Sequence, residues 1–146
     1  MIYTKLTKQA IRLCFHAHAD QVDKSGLPYV LHPLHLAEQM GDEITTVVAL
    51  LHDVVEDTAY TLEDLQDMGY PEAVVEALAL LTHEPAVPYM EYVARIGQNP
   101  VARAVKLADL RHNSDITRLD CVTHRDLDRV EKYRQAMQLL EKSPGS

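Results

Sequence analysis

Asp42-Glu-Ile-Thr-Thr-Val-Val-Ala-Leu-Leu-His-Asp-Val-Val-Glu-Asp-Thr58 is the stretch that decides the fold. Asp42 has the side chain to cap a helix N-terminus. Behind it, Ile44, Val47, Val48, Leu50, Leu51, Val54 and Val55 spread around most of the helical circumference. A helix apolar on nearly every side belongs in the middle of a helical protein. Yet the same stretch carries His52, Asp53, Glu56 and Asp57. A spacing of four puts His52 with Glu56, and Asp53 with Asp57, on shared faces. Burying such charge costs several kcal/mol per ion unless something offsets it. A divalent cation does so, because it neutralises carboxylates and takes imidazole as a neutral ligand. The rival reading is a solvated charged face, against which the flanking Leu50-Leu51 and Val54-Val55 argue.

Outward from this stretch the chain reads as helices joined by short turns. A first helix spans about 4–20, capped by Thr4 or Thr7, with Ala10, Leu13, Cys14 and Ala17 at helical spacing. Asp23, Ser25, Gly26 and Pro28 mark a loop over 21–30. Pro33 suits the first turn of a second helix ending near Gly41. Thr61-Leu-Glu-Asp64 has the form of a capping box, and Gly69 closes that short helix. Pro71 opens the next, which Pro85 and Pro88 end; further helices follow over 89–97, about 100–116, and from Thr123 or Asp126 to about Lys142. No strand pattern appears. The expectation is an all-α, compact bundle of about seven or eight helices, one domain over 1–142, with 143–146 a disordered tail.

Composition narrows the function. Fourteen Lys and Arg against 22 Asp and Glu give a net charge of −8. That argues against binding a nucleic-acid polymer or an anionic membrane, both of which require basic surface. No apolar run reaches the ~18 residues of a membrane span, and no signal-peptide core opens the chain. Cys14 and Cys121 form no C-x-x-C pair. The reading is a cytoplasmic protein with reduced thiols; nothing in the sequence sets an oligomeric state.

Two outposts extend the charged stretch. His32-Pro33 stands at a loop-to-helix junction, and Asp109 follows the apolar run before Asn113. Alone, His32 reads as a capping or core histidine, and Asp109 as a partner for Lys106 or Arg111. Together with His52 and Asp53 they make a His/His/Asp/Asp set suited to Mn²⁺, Fe²⁺ or Mg²⁺ rather than to a cysteine-rich zinc site. Four protein ligands leave two octahedral positions for water and a phosphate oxygen.

The segments Lys24-Ser-Gly-Leu-Pro-Tyr29, His32-Pro-Leu34, Ala49-Leu-Leu-His-Asp-Val-Val-Glu-Asp-Thr58, and Lys106-Leu-Ala-Asp109 followed by His112-Asn113 carry a resemblance. They resemble the HD-domain phosphohydrolase superfamily, and within it the hydrolase domain of Rel/SpoT guanosine polyphosphate enzymes and their small stand-alone relatives. The resemblance implies metal ligation by His32, His52, Asp53 and Asp109, with one divalent ion, Mn²⁺ first and Fe²⁺ or Mg²⁺ as alternatives. It implies that Glu56 and Asp57 orient or deprotonate water, although both could instead steer His52. It implies substrate contacts from Lys24, Ser25, Tyr29, Asn113 and Lys106. The implied reaction is hydrolysis of guanosine 3′,5′-bis(diphosphate) with release of pyrophosphate. The alternatives are hydrolysis of another nucleotide or phosphoester, or a nucleotide-binding sensor without catalysis.

Three positions depart from the family pattern. Asp23 stands where relatives carry an arginine that stacks on guanine, Asp20 replaces a glycine, and Leu110-Arg111 reverses the usual order. Asp23 is expected to repel a polyphosphate. Other polar and aromatic residues read as structural: His18 as a local hydrogen-bonding partner, the Tyr89-Met90-Tyr92 cluster as core or lid, and His83 and His124 as surface or capping residues.

Overall fold

The computed structural model describes residues 1–142. Thr4 opens the first helix, α1 (Lys5–Ala17), through a reciprocal capping box in which its hydroxyl accepts the Thr7 amide. Thr7, Ala10, Leu13 and Cys14 form its buried stripe. The 21–30 loop leads into α2 (Leu31–Glu38), with Pro33 in the first turn. Asp42 then caps α3 (Glu43–Leu51), its Oδ1 accepting the Thr45 amide at 2.8 Å. Every residue from Thr45 to Leu51 is buried, as the all-round apolar pattern requires.

The helix does not continue to Asp57. Asp53 leaves helical geometry at φ −108°, ψ 2°, and a separate single turn, α4 (Val54–Asp57), follows. The apolar periodicity runs straight through this break, which is why the sequence reads as one helix. Beyond it come α5 (Leu62–Asp67), α6 (Glu72–Leu81) and α7 (Tyr89–Ile96). Asn99 caps α8 (Pro100–Asn113), which has Pro100 at its first position. After a 3-10 turn (Ile116–Arg118), a Thr123/Asp126 capping box starts α9 (His124–Glu141).

The bundle is all-α, with one isolated bridge between Val22 and Pro28 among the described residues. Counting α4 separately gives nine α-helices among the described residues. The disorder read for 143–146 lies outside the described residues.

Helix α3 is the hub. It packs against α1, α2, α6 and α8, while α9 lies against α7 and α8. Leu50 and Leu51 are fully buried there, each worth roughly 1.5–3 kcal/mol of transfer free energy. Tyr92 belongs to the core, its hydroxyl donating to the Leu81 carbonyl at 2.6 Å. Cys14 is buried and free, Cys121 exposed and free. Among the described residues, no helix is long and apolar enough to cross a membrane.

Candidate metal centre and substrate cavity

Three helices that pack on one another each deliver one side chain to a common point. His32 comes from the first turn of α2, His52 from the C-terminal end of α3, and Asp109 from the middle of α8. All three are buried, and one ligand atom from each lies within 4.8 Å of the others. His32 Nε2 is 2.8 Å from Asp109 Oδ1, and His52 Nε2 is 3.6 Å from the same oxygen. Asp53, the fourth predicted ligand, adjoins this triad from the break after α3. Its Oδ2 lies 3.0 Å from His52 Nε2 and accepts the Tyr29 hydroxyl.

The donor set fits a cation. His52 Nδ1 is 2.7 Å from the Ala49 carbonyl, which can only accept. Nδ1 therefore carries a proton, so in the neutral form of the ring Nε2 presents a lone pair. That Nε2 is buried without a hydrogen bond, although two carboxylates approach it. A lone pair aimed at carboxylate oxygens is repulsive unless positive charge lies between them. Oxygen and nitrogen ligands at ~2.0–2.2 Å from one ion lie at such mutual separations.

The surrounding charges follow. Burial works to raise the Asp109 carboxyl, but the Lys106 ammonium beside it outweighs burial and holds it well below the usual range. Lys106 Nζ donates to Asp109 Oδ2 at 2.9 Å and lies over the Tyr92 ring. Burial alone would depress that ammonium, but Asp109 raises it well above its ordinary value. Asp53 is pushed well up, first by burial and then by Asp109 and Asp57. Burial lowers His32.

A cavity of about 660 Å³ opens beside the cluster. His32, Tyr29 and Asp57 line it, as do Lys24, Ser25 and Asn113. Of the predicted substrate residues, Lys106 is absent from this lining. It lies beneath Asp109 instead, where a buried carboxylate holds it. Asn113 Nδ2 also donates to Asp109 Oδ1, at 2.9 Å. Glu56 sits nearby on α4, its Oε1 accepting the His83 amide at 3.2 Å, and burial raises its pKa. His18 behaves locally, with Nδ1 2.8 Å from Gln21 Oε1.

Asp23 has a different environment from the one expected. Its Oδ1 accepts the Ser25 amide (2.9 Å), the Ser25 hydroxyl (2.6 Å) and the Leu27 amide (3.0 Å). Its Oδ2 faces Arg118 Nη1 at 3.6 Å. The carboxylate ties the turn that ends at Gly26, whose φ of +80° suits glycine. Its charge is thus largely met inside the loop, which weakens the expected repulsion toward a phosphate.

Several cavity residues escaped the sequence reading, chief among them a set on α9. Asp126, Arg129, Val130 and Tyr133 all line the cavity from α9. Their spacing of three, four and seven is a helical face, and that periodicity was a usable signal. Arg118 also lines the cavity, and its Nη2 donates to the His112 carbonyl at 3.2 Å. His112 itself touches His32 from 80 positions away, which no spacing encodes.

An all-helical bundle that gathers buried His and Asp side chains at the end of a central helix is the architecture of the HD-type domains. No protein-family model matches the chain. It is 31% identical to a probable GTP pyrophosphokinase of Mycobacterium leprae over 93% of its own length and 18% of that protein. It is 34% identical to the GTP pyrophosphokinase of Streptomyces coelicolor, covering 92% of this chain and 16% of that one. It is 33% identical to the bifunctional (p)ppGpp synthase/hydrolase SpoT of Escherichia coli, covering 75% and 18%. The solved structure of a metazoan SpoT orthologue, described as hydrolysing ppGpp, has the same fold. Its TM-score is 0.77 at 22% identity, over 98% of this chain and 89% of that one. The chain is a homologue of the Rel/SpoT proteins and spans less than a fifth of the length of these curated relatives.

Proposed function

We propose that the chain is a metal-dependent hydrolase that releases pyrophosphate from the 3′ position of guanosine 3′,5′-bis(diphosphate)-like nucleotides. One observation carries this reading: the buried His32/His52/Asp109 cluster, with its unpartnered imidazole nitrogen, borders a cavity sized for a nucleotide. Names among the relatives include synthase and kinase activities. The hydrolytic reading is preferred because the His/Asp cluster is a metal-hydrolase arrangement, and because the neighbour of matching size is described as a ppGpp hydrolase.

His32, His52, Asp53 and Asp109 would hold one divalent ion. When bound, it supplies Lewis-acid polarisation of a phosphoryl oxygen. The chain contributes the rest. Lys24, Ser25 and Asn113 at the cavity wall hold the nucleotide. Asp57 at the same wall orients a water toward the phosphorus next to the 3′ oxygen. The water oxygen bonds to that phosphorus, the bond from phosphorus to the 3′ oxygen breaks, and the departing 3′ oxygen takes its proton from bulk water. Glu56, raised by burial and anchored by the His83 amide, takes the proton of the attacking water.

The test is a screen of Mn²⁺-, Fe²⁺- and Mg²⁺-loaded protein against guanosine tetraphosphate, NADPH, nucleoside triphosphates and cyclic dinucleotides. Pyrophosphate and GDP from the tetraphosphate are expected. Silence toward that compound with turnover of another would reassign the substrate, and silence toward all would overturn the enzyme reading. Glu56→Gln should lower kcat by about 10²–10⁴-fold with Mn²⁺ binding retained. Unchanged kcat would remove Glu56 from proton transfer.

A further inference from the structure

The ring of His112 lies against His32 on the side away from Asp109. The two Nδ1 atoms are 2.6 Å apart, and the rings are within 11° of parallel with centroids 4.9 Å apart. That separation matches one nitrogen-to-nitrogen contact plus two ring radii. The imidazoles therefore lie side by side in one plane, joined by an N–H···N hydrogen bond, and are not stacked face to face. His35 covers a face of His112, with centroids 4.3 Å apart.

Two nitrogens at this distance share one proton, so the pair has two tautomeric arrangements. In the first, His32 Nε2–H donates to Asp109 Oδ1, and His112 Nδ1–H donates to His32. In the second, His32 carries its proton on Nδ1 and donates to His112, whose own proton moves to Nε2. Each ring is neutral and holds one proton in both. Only the second leaves the His32 Nε2 lone pair free for a metal.

We infer that His112 is the positioning residue of the metal centre: by accepting the His32 Nδ1 proton it fixes the tautomer and ring angle in which His32 Nε2 can ligate. This rests on the metal reading above but not on the identity of the nucleotide. Partners that orient a ligating histidine in this way typically account for 10–100-fold in metal affinity. His112 is half-buried, at the end of α8 and one turn beyond Asp109, so a single helix supplies both a ligand and the group that orients another ligand.

The test uses Mn²⁺ alone, with no nucleotide, in competition with a fluorescent chelator. His112→Phe keeps a flat ring between His32 and His35 but removes the acceptor. His112→Asn restores an acceptor oxygen. The expected result is roughly 10–100-fold weaker Mn²⁺ binding by His112→Phe, with partial recovery in His112→Asn. Thermal melts without metal verify that both variants fold. In Zn²⁺-loaded protein, ¹⁵N histidine spectra should show the His32 proton on Nδ1 and the His112 proton on Nε2. Wild-type affinity in His112→Phe, or a His32 proton on Nε2 after Zn²⁺ loading, overturns the inference. Absence of Mn²⁺ binding by the wild type overturns the metal reading and this inference with it.

Discussion

The Asp53 carboxyl accepts the Tyr29 hydroxyl on the oxygen that lies 3.0 Å from His52 Nε2. Burial, then Asp109 and Asp57, push its pKa well up, so a proton competes with a cation for this group over a raised pH range. The neighbouring rings behave oppositely. Burial lowers His32, and it takes His112 down to about 4, so both are neutral and offer no competing proton. The sign follows: the carboxyl must lose its proton to ligate, so metal affinity rises with pH through the elevated range of Asp53. The expected slope is at most about tenfold per pH unit for one released proton. Mn²⁺ titrations at pH 6, 7 and 8, with proton release measured in buffers of different ionisation enthalpy, check it. Affinity flat across that range would mean that Asp53 is already ionised, or that it is not a ligand. Asp53→Asn should flatten the slope.

Among the elements, the 21–30 loop shows how a family departure can be structural. Asp23 gathers three donors from its own turn and faces Arg118, and Lys24 and Ser25 stand on that turn at the cavity wall. Asp23→Ala frees those donors, at a cost of about 1–2 kcal/mol in local stability. Faster hydrogen exchange at the Ser25 and Leu27 amides is expected, with KM for the nucleotide up several-fold and kcat nearly unchanged. Unaltered exchange and KM would show that the loop holds its shape without Asp23. Much of this scale was legible in the sequence, because it is written locally. The caps at Thr4, Asp42, Thr61 and Thr123 each place an oxygen within three residues of the amide it accepts. The buried hub α3 was legible from its apolar circumference. The break at His52-Asp53 was not, since Val54 and Val55 continue the apolar period past it. The gathering of His32, His52 and Asp109 was foreseen from residue type and the family resemblance. The contact of His112 with His32, and of Arg118 with Asp23, depends on how α2, α8 and the 3-10 turn meet in space.

Over the whole molecule, the candidate centre acts as a cross-link. Its triad comes from α2, α3 and α8, which pack pairwise on one another around the buried core. Without a cation, this junction leaves the buried His52 Nε2 with no hydrogen-bond partner beside the Asp53 and Asp109 carboxyl groups, relieved in part by the Lys106 ammonium on Asp109. A cation that binds the folded chain and not the unfolded one should therefore stabilise the bundle as a unit. At a free concentration 100 times Kd the linkage is about 2.7 kcal/mol. For a chain of 146 residues that corresponds to an unfolding midpoint raised by roughly 5–10 °C. Melting curves in chelator and across a Mn²⁺ series measure it, and the midpoint should climb with the logarithm of free metal. His52→Asn removes the ring nitrogen that faces the carboxylates and should abolish the dependence while still folding. The folded core does not require the metal, because Leu36, Leu50, Leu78, Ile96 and Leu110 are buried independently of the site. Chelated wild-type protein should accordingly melt cooperatively, at a lower temperature. A midpoint indifferent to Mn²⁺ at concentrations that support turnover would show that the ion is held by substrate and not by the three-helix junction.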